Sequence, residues 1–425
     1  MTRTALATAF LFATVASAQP VTYPVPIAGR TPGSAPVGAN SMQTTIALPD
    51  PGVGADQSQL YGTGSGSLVP FRLDTLALAT ISGLPVQVDA LAAAPGVLVD
   101  GSSRTLLAVS TGGSVVFGTV EIGTFISRGP AASSPAIPGT SQIAVSAVSD
   151  GGAALIVSDG FTLTRWSLDV SSGTVSARNT FSGPASPGSS GFTDQSNALY
   201  FDGRTETGFI GGRVVGDLYA FNARGDAGPP TVFDSALAGQ GRLSPPVTGL
   251  TMYTGQTARY LLVANGQGIT VYNLLSPNPL VNAFRAIPQD VVGSITAPAG
   301  IAVTNLPAGI ALPAGVIAVG DRTQTDLAVI RWDVLAGIVD GGLTIDTTFD
   351  PRGGGGPPDG GAPDAGPGGS DGGGGPGPPP SGPIGPGIPV DHPSSCTCAS
   401  TSGAPGLAAL LAVLAFLLFP RRQRR

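Results

Sequence analysis

From about residue 45 to residue 335, short apolar runs alternate with turns rich in Gly, Ser and Asp. No apolar pattern of period 3.6 continues beyond about ten residues, so the pattern predicts strands throughout. One unit is "SPPVTGLTMYTGQTARYLLVANGQGITVYN", from Ser244 to Asn273. It holds apolar strands around a polar, Gly-bearing turn, and the unit recurs. "QLYGTGSGSLVPFRLD", "TLLAVSTGGSVVFGTVE", "AALIVSDGFTLTRWSLD", "TGFIGGRVVGDLYAFN", "RYLLVANGQGITVYN" and "GVIAVGDRTQTDLAVIRWD" each read strand, turn, second strand with an aromatic, polar exit.

The aromatics of the six units are Phe71, Phe117, Trp166, Phe221, Tyr272 and Trp332. They recur roughly every fifty residues, and a further strand often precedes each pair, as in "VTGLTMY" and "PAGIAVT". Four short strands in such a span make one propeller blade. The sequence therefore predicts an all-β chain, a six-bladed β-propeller of four-stranded blades. Radial repetition also suits a domain with few charges, because it leaves only short sheet edges exposed. A pair of β-sandwiches or a β-helix is the competing architecture. Trp166 and Trp332 read as blade packing.

The ends of the chain have other compositions. Residues 1–18 carry Arg3, an apolar run from Ala5 to Val15, and Ala16-Ser17-Ala18. This is a secretory signal peptide with cleavage before Gln19. Residues 19–350 form the propeller. Residues 351–395 are a Gly/Pro/Asp-rich linker that cannot bury apolar surface, hence a disordered stalk. Residues 396–425 hold Cys396-Thr397-Cys398, a short apolar helix from Ala404 to Phe419, and terminal arginines. The arginines predict a cytoplasmic end for a short membrane-inserted helix.

That tripartite tail resembles the MYXO-CTERM sorting signal of myxobacteria. The resemblance implies passage through the inner membrane, a sorting protease acting at Cys396 or Cys398, and display at the cell surface or release. An ordinary single-pass anchor is the alternative.

Composition narrows the chemistry. Residues 19–350 contain no Cys, Lys or His; the one His, His392, lies in the stalk. This removes a Ser-His-Asp triad, a Cys nucleophile and His-bound zinc from the domain. Carboxylate and Arg chemistry remains, or binding alone. The acidic balance, 26 Asp and Glu against 20 Lys and Arg, disfavours nucleic-acid backbones.

Residues 241–332 resemble two blades of the β-propeller phytases, and the pattern extends from about Leu48 to Gly337. "GRLSPPVTGLTMYTGQTARYLLVANGQGITVYN" is similar to the blade bearing their Asp-x-Glu-Gly-Leu-Thr motif. "APAGIAVTNLPAGIALPAGVIAVGDRTQTDLAVIRWDVLAG" resembles the next, with its Thr-Asp-Gly-Ile-Asp and Gln-Asp-Gly motifs. "LPDPGVGADQSQLYGTGSGSLVPFRLD" resembles their opening Asp-Asp-Pro blade. The resemblance implies Ca²⁺ in the propeller mouth and hydrolysis of inositol phosphates or other phosphomonoesters. It places metal ligands at Asp50 and Asp321.

The other motif positions are substituted. Pro49 and Gly320 stand where the family has Asp and Gln, and Pro246 and Thr248 where it has Asp and Glu. Ala299 and Ala302 replace both Asp of Thr-Asp-Gly-Ile-Asp, and Gly64-Ser65 and a position near Gly112 replace the basic groups. Asp89, Asp100, Asp159, Asp194, Asp202 and Asp326 lie in loops from which a metal site could regroup. Arg213 faces an anion in the mouth or solvent at a strand end. Two functions therefore compete: a phytase-like, Ca²⁺-dependent phosphatase, and a catalytically degenerate propeller that binds a surface protein or ligand.

Overall fold

The computed structural model describes residues 20–352, apart from 33–42, 52–56, 130–141, 185–195, 225–228, 237–241, 340–342 and six single positions. The signal peptide, the linker, Cys396, Cys398 and the apolar C-terminal run lie outside the described residues. Among the described residues no helix is long and apolar enough to cross a membrane.

Two strands come first, β1 (Val21–Pro26) and β2 (Gly29–Arg30). Blade 1 then holds β3 (Thr44–Ala47), β4 (Gln59–Gly64) and β5 (Ser67–Arg72), and blade 2 holds β6 (Ala90–Val99), β7 (Ser102–Thr111), β8 (Ser114–Glu121) and β9 (Thr124–Ser127). Blade 3 is β10 (Gln142–Ala147), β11 (Ala153–Ser158), β12 (Thr162–Asp169) and β13 (Ser176–Pro184). Blade 4 is β14 (Ser196–Asp202), β15 (Thr207–Gly212), β16 (Leu218–Asn222) and β17 (Thr231–Asp234). Blade 5 is β18 (Gly249–Thr254), β19 (Arg259–Asn265), β20 (Gly268–Asn273) and β21 (Phe284–Asp290), with the short β22 (Gly293–Ser294) on β21. Blade 6 is β23 (Pro298–Thr304), β24 (Val316–Asp321) and β25 (Asp326–Arg331), followed by helix α1 (Trp332–Ile338).

The first strands of the six blades, β3, β6, β10, β14, β18 and β23, neighbour one another in a closed ring. The fold is thus a six-bladed propeller. The uniform four-stranded count is coarser than what forms. Blade 1 has three strands, with one isolated bridge, Phe71 to Leu78, in the outer place.

The ring is closed by the N-terminus. β2 pairs antiparallel with β25 as the outer strand of blade 6, and β1 lies parallel on β21 of blade 5. Residues 21–30 therefore tie the last two blades together.

The recurrent aromatics occupy equivalent places. Phe71, Phe117, Trp166, Phe221 and Tyr272 lie on the third strand of blades 1 to 5, and Trp332 directly follows that of blade 6. All but Trp166 are buried. Each sits between sheets: Tyr272, for example, packs with Phe209 and Val247 between blades 4 and 5. Gly208 shows why small residues stand opposite them. A Cβ there would strike the ring of its cross-strand partner Phe221 and the carbonyl of Tyr200.

Candidate functional site

The C-terminal halves of the six inner strands surround a central cavity of about 200 Å³. Thr45, Ser146, Thr251, Thr304 and Asn305 give it a polar lining, with Met252 beside them. Residues 343–352 cross this mouth as a strap, and Phe349 and Pro351 form part of the cavity wall. The strap is bonded to most of the ring. Trp332 Nε1 donates to the Thr344 carbonyl at 3.0 Å, and Asn305 Nδ2 donates to the Asp346 carbonyl at 3.0 Å. Arg204 Nη2 donates to the Pro351 carbonyl at 3.0 Å, Ser103 Oγ to the Arg352 carbonyl at 2.5 Å, and Arg352 Nη1 to the Pro49 carbonyl at 3.3 Å. With the Tyr253 hydroxyl of blade 5, which donates to the Asp346 carbonyl at 3.2 Å, five of the six blades are reached.

Asp346 anchors the strap. Its Oδ1 accepts from Thr348 N at 3.0 Å, Thr348 Oγ1 at 2.7 Å and Phe349 N at 3.3 Å, and its Oδ2 accepts from Gln256 N. Burial alone would raise this carboxyl. The donors outweigh burial and hold it below the usual carboxylate range. A depressed folded-state value means that the stabilisation is present at neutral pH and is lost as pH falls through the folded value. Asp346→Asn is expected to cost about 2 kcal/mol at pH 7 and progressively less as the pH falls below the usual carboxylate range, flattening the acid limb of the stability profile. Urea unfolding across that pH range checks it.

The two carboxylates that the resemblance singles out lie at opposite rims. Asp50 follows the end of inner strand β3, on the strap side, while Asp321 ends β24 and pairs with Pro298 at the start of β23. Asp50 Oδ2 accepts from Arg104 Nη1 at 3.1 Å, and the same nitrogen reaches Glu121 Oε1 at 2.7 Å. These side chains line a cavity of about 400 Å³ between blades 1 and 2. Burial pushes the Asp50 carboxyl up, against the pull of Arg104.

Asp321 belongs to a different cluster. Arg30, on β2, donates from Nη1 to Asp321 Oδ2 and to Asp326 Oδ1, both at 2.9 Å, and from Nε to Asp290 Oδ2 at 2.6 Å. Three carboxylates from blades 5 and 6 thus converge on one guanidinium supplied by the N-terminal segment. The hydrogen bond from Arg30 holds the Asp290 carboxyl below its usual range. Burial holds Asp326 above it.

The remaining loop acids do not regroup. Asp89 accepts from Gly112 N, Asp100 pairs with Arg128 at 3.4 Å, Asp159 caps its own turn, and Asp202 pairs with Arg259 at 2.8 Å. Asp194 lies outside the described residues. Thr248 donates its hydroxyl to the Pro298 carbonyl, and Ala299 and Ala302 are buried. Arg213 is exposed at the rim opposite the strap. Trp332 stacks on Tyr253, with ring centroids 3.9 Å apart and planes 7° from parallel, as blade packing.

Calcium takes six to eight oxygens, several of them from carboxylates. Among the described residues no group of three or more His, Cys, Asp or Glu side chains is arranged to hold a metal. Asp50 and Asp321 are each spent on a guanidinium, so in this arrangement neither fits a calcium site. The residues that sequence reasoning passed over are Arg30 and Arg104, the cations that engage these acids. No local motif marks them, because each partner is tens to hundreds of positions away.

No protein-family model matches the chain, and no curated protein matches it. Solved structures do overlap it. One is described as the extracellular domain of a hybrid two component system from B. thetaiotaomicron, at 14% identity and a TM-score of 0.36, covering 64% of this chain and 31% of its own. A second, described as the extracellular domain of a one component system from the same organism, is 16% identical with a TM-score of 0.34 and the same coverages. The chain spans about a third of the length of these proteins.

Proposed function

We propose that this chain is a surface-displayed β-propeller that acts by binding rather than by catalysis. The commitment of its carboxylates is the observation that carries the reading. Asp50, Asp202, Asp290, Asp321 and Asp326 all pair with arginines of the same domain. The strap fills one mouth, and Arg352, the last described residue, lies on that side.

The opposite rim carries exposed apolar side chains among the described residues. Second strands end there, and so do the fourth. Phe161, Val214, Val291 and Val292 are exposed in turns of that rim on blades 3, 4 and 5. Exposed apolar side chains on neighbouring blades, beside Arg213, suit a protein or ligand partner. Export, processing at Cys396 or Cys398 and retention at the cell surface complete this reading, on the strength of the signal peptide and the tail.

The second reading is a Ca²⁺-dependent phosphomonoesterase, as the phytase resemblance implies. It is favoured by the convergence of Asp290, Asp321 and Asp326 at one place. Phosphate release from phytate and from a simple aryl phosphate, with calcium and with chelator, separates the two. Binding alone is expected to give no calcium-dependent release. Turnover that chelator abolishes would establish the phosphatase.

A further inference from the structure

We propose that the strap-side pocket between blades 3 and 4 is a binding site for a tetrahedral oxyanion, carried on a phosphate or sulfate ester. The inference is independent of the calcium question and concerns a part of the surface that the phytase-like motifs do not touch.

The pocket holds about 410 Å³ and is walled mainly by polar atoms. Its charged lining is Arg165, Arg204, Arg224 and Glu206, with Ser149 beside them, while the Thr180 hydroxyl donates to the Arg165 carbonyl at 3.3 Å. Three guanidiniums against one carboxylate is a local positive excess in a chain whose net charge is −6. Neither Lys nor His occurs in the domain, so arginine is its only cationic side chain for an anion.

The arginines are held ready. Arg165, on β12, donates from Nε to Glu206 Oε2 at 3.1 Å, from Nη2 to Glu206 Oε1 at 2.7 Å, and from Nη1 to Thr180 Oγ1 at 2.9 Å. That uses three of its five N–H donors and leaves two on a fixed guanidinium plane. Arg204 is steadied by its bond to the Pro351 carbonyl of the strap. Arg224 is exposed, and its guanidinium has no acidic partner among the described residues.

The orienting carboxylate is itself in an unusual place. Glu206 has φ of 55°, the left-handed region that a residue with a Cβ seldom adopts. Its carbonyl accepts from Ala223 N at 2.8 Å, which fixes the turn beside Arg224. A non-glycine residue kept there holds Arg165 in a set direction and brings the turn carrying Arg224 beside it. Strained backbone at a cluster of fixed donors is where ligand sites concentrate. Paired N–H forks match the oxygens of phosphate and sulfate.

The test follows thermal unfolding of the secreted chain, from Gln19 onward, against inorganic phosphate, sulfate, glucuronate and chloride at matched ionic strength. Arg224→Gln and Arg204→Gln are measured alongside. Phosphate, sulfate or both are expected to stabilise the wild-type chain saturably, and Arg224→Gln is expected to raise the half-saturating concentration about tenfold. Saturation by phosphate alone or by sulfate alone identifies which ester the site takes. Sulfate also stabilises proteins without a site, through exclusion from their surface, but that effect does not saturate and is the same in the variants. Equal, unsaturated shifts in wild type and both variants would overturn the proposal. So would saturation by glucuronate alone, which would make the ligand a planar carboxylate.

Discussion

Replacing Arg30 with Met is expected to cost about 3 kcal/mol of folding free energy at pH 7, the effect of breaking a buried ion pair from one side. Asp321 and Asp326 have side chains only 8% exposed, and both give an oxygen to Arg30 Nη1. Without the guanidinium, two buried carboxylates face each other uncompensated. The variant is relieved by taking up protons, so its penalty shrinks as pH falls toward 4. A merely cosmetic ion pair would give a small penalty, independent of pH. Urea unfolding at the two pH values distinguishes them. The effect reaches beyond one pair, because Arg30 lies on the strand that closes the ring. Loosening β2 releases β25 and, through Ile27, the edge of blade 5.

The second large effect concerns Trp332. It is fully buried, stacks on Tyr253 and bonds the strap through Nε1. Trp332→Ala removes a large core side chain at the junction of blade 6, α1 and the strap, and is expected to cost about 4 kcal/mol. Trp166 occupies the corresponding place in blade 3 but is half-buried. Trp166→Ala is expected to cost about half as much. Limited proteolysis adds a second readout: Trp332→Ala should expose residues 343–352 to cleavage before the blades open, whereas Trp166→Ala should not.

The ring was legible in the sequence because each blade repeats one physical problem. A third strand needs a large aromatic to fill the wedge between neighbouring sheets, and that aromatic recurs at a blade's length. Closure was not legible. β1 and β2 are short, contain three prolines with the residues beside them, and take their meaning from partners about 260 to 300 positions away. The strap sequence "TIDTTFDPR" has no apolar period; its order comes from Asp346 and from bonds to five blades. Blade 1 lost its fourth strand because Asp74-Thr75 turns the chain after β5, leaving a single bridge at Leu78.

The site was legible only as a list of acids. Motif matching finds Asp50 and Asp321 by their neighbours in sequence. What those carboxylates do depends on which cation reaches them in space, and Arg30 is 291 positions from Asp321. Long arginine side chains crossing between blades carry no local signature.

The most direct test of the central claim, that these carboxylates serve the fold and not a metal, is the thermal unfolding midpoint of the chain from Gln19 onward in millimolar calcium and in chelator. The same midpoint is expected in both, since Arg30 and Arg104 already occupy the oxygens. A calcium-dependent rise of several degrees would contradict it. That result would mean that Asp50 or Asp321 leaves its guanidinium for the ion, and the phosphatase reading would take precedence.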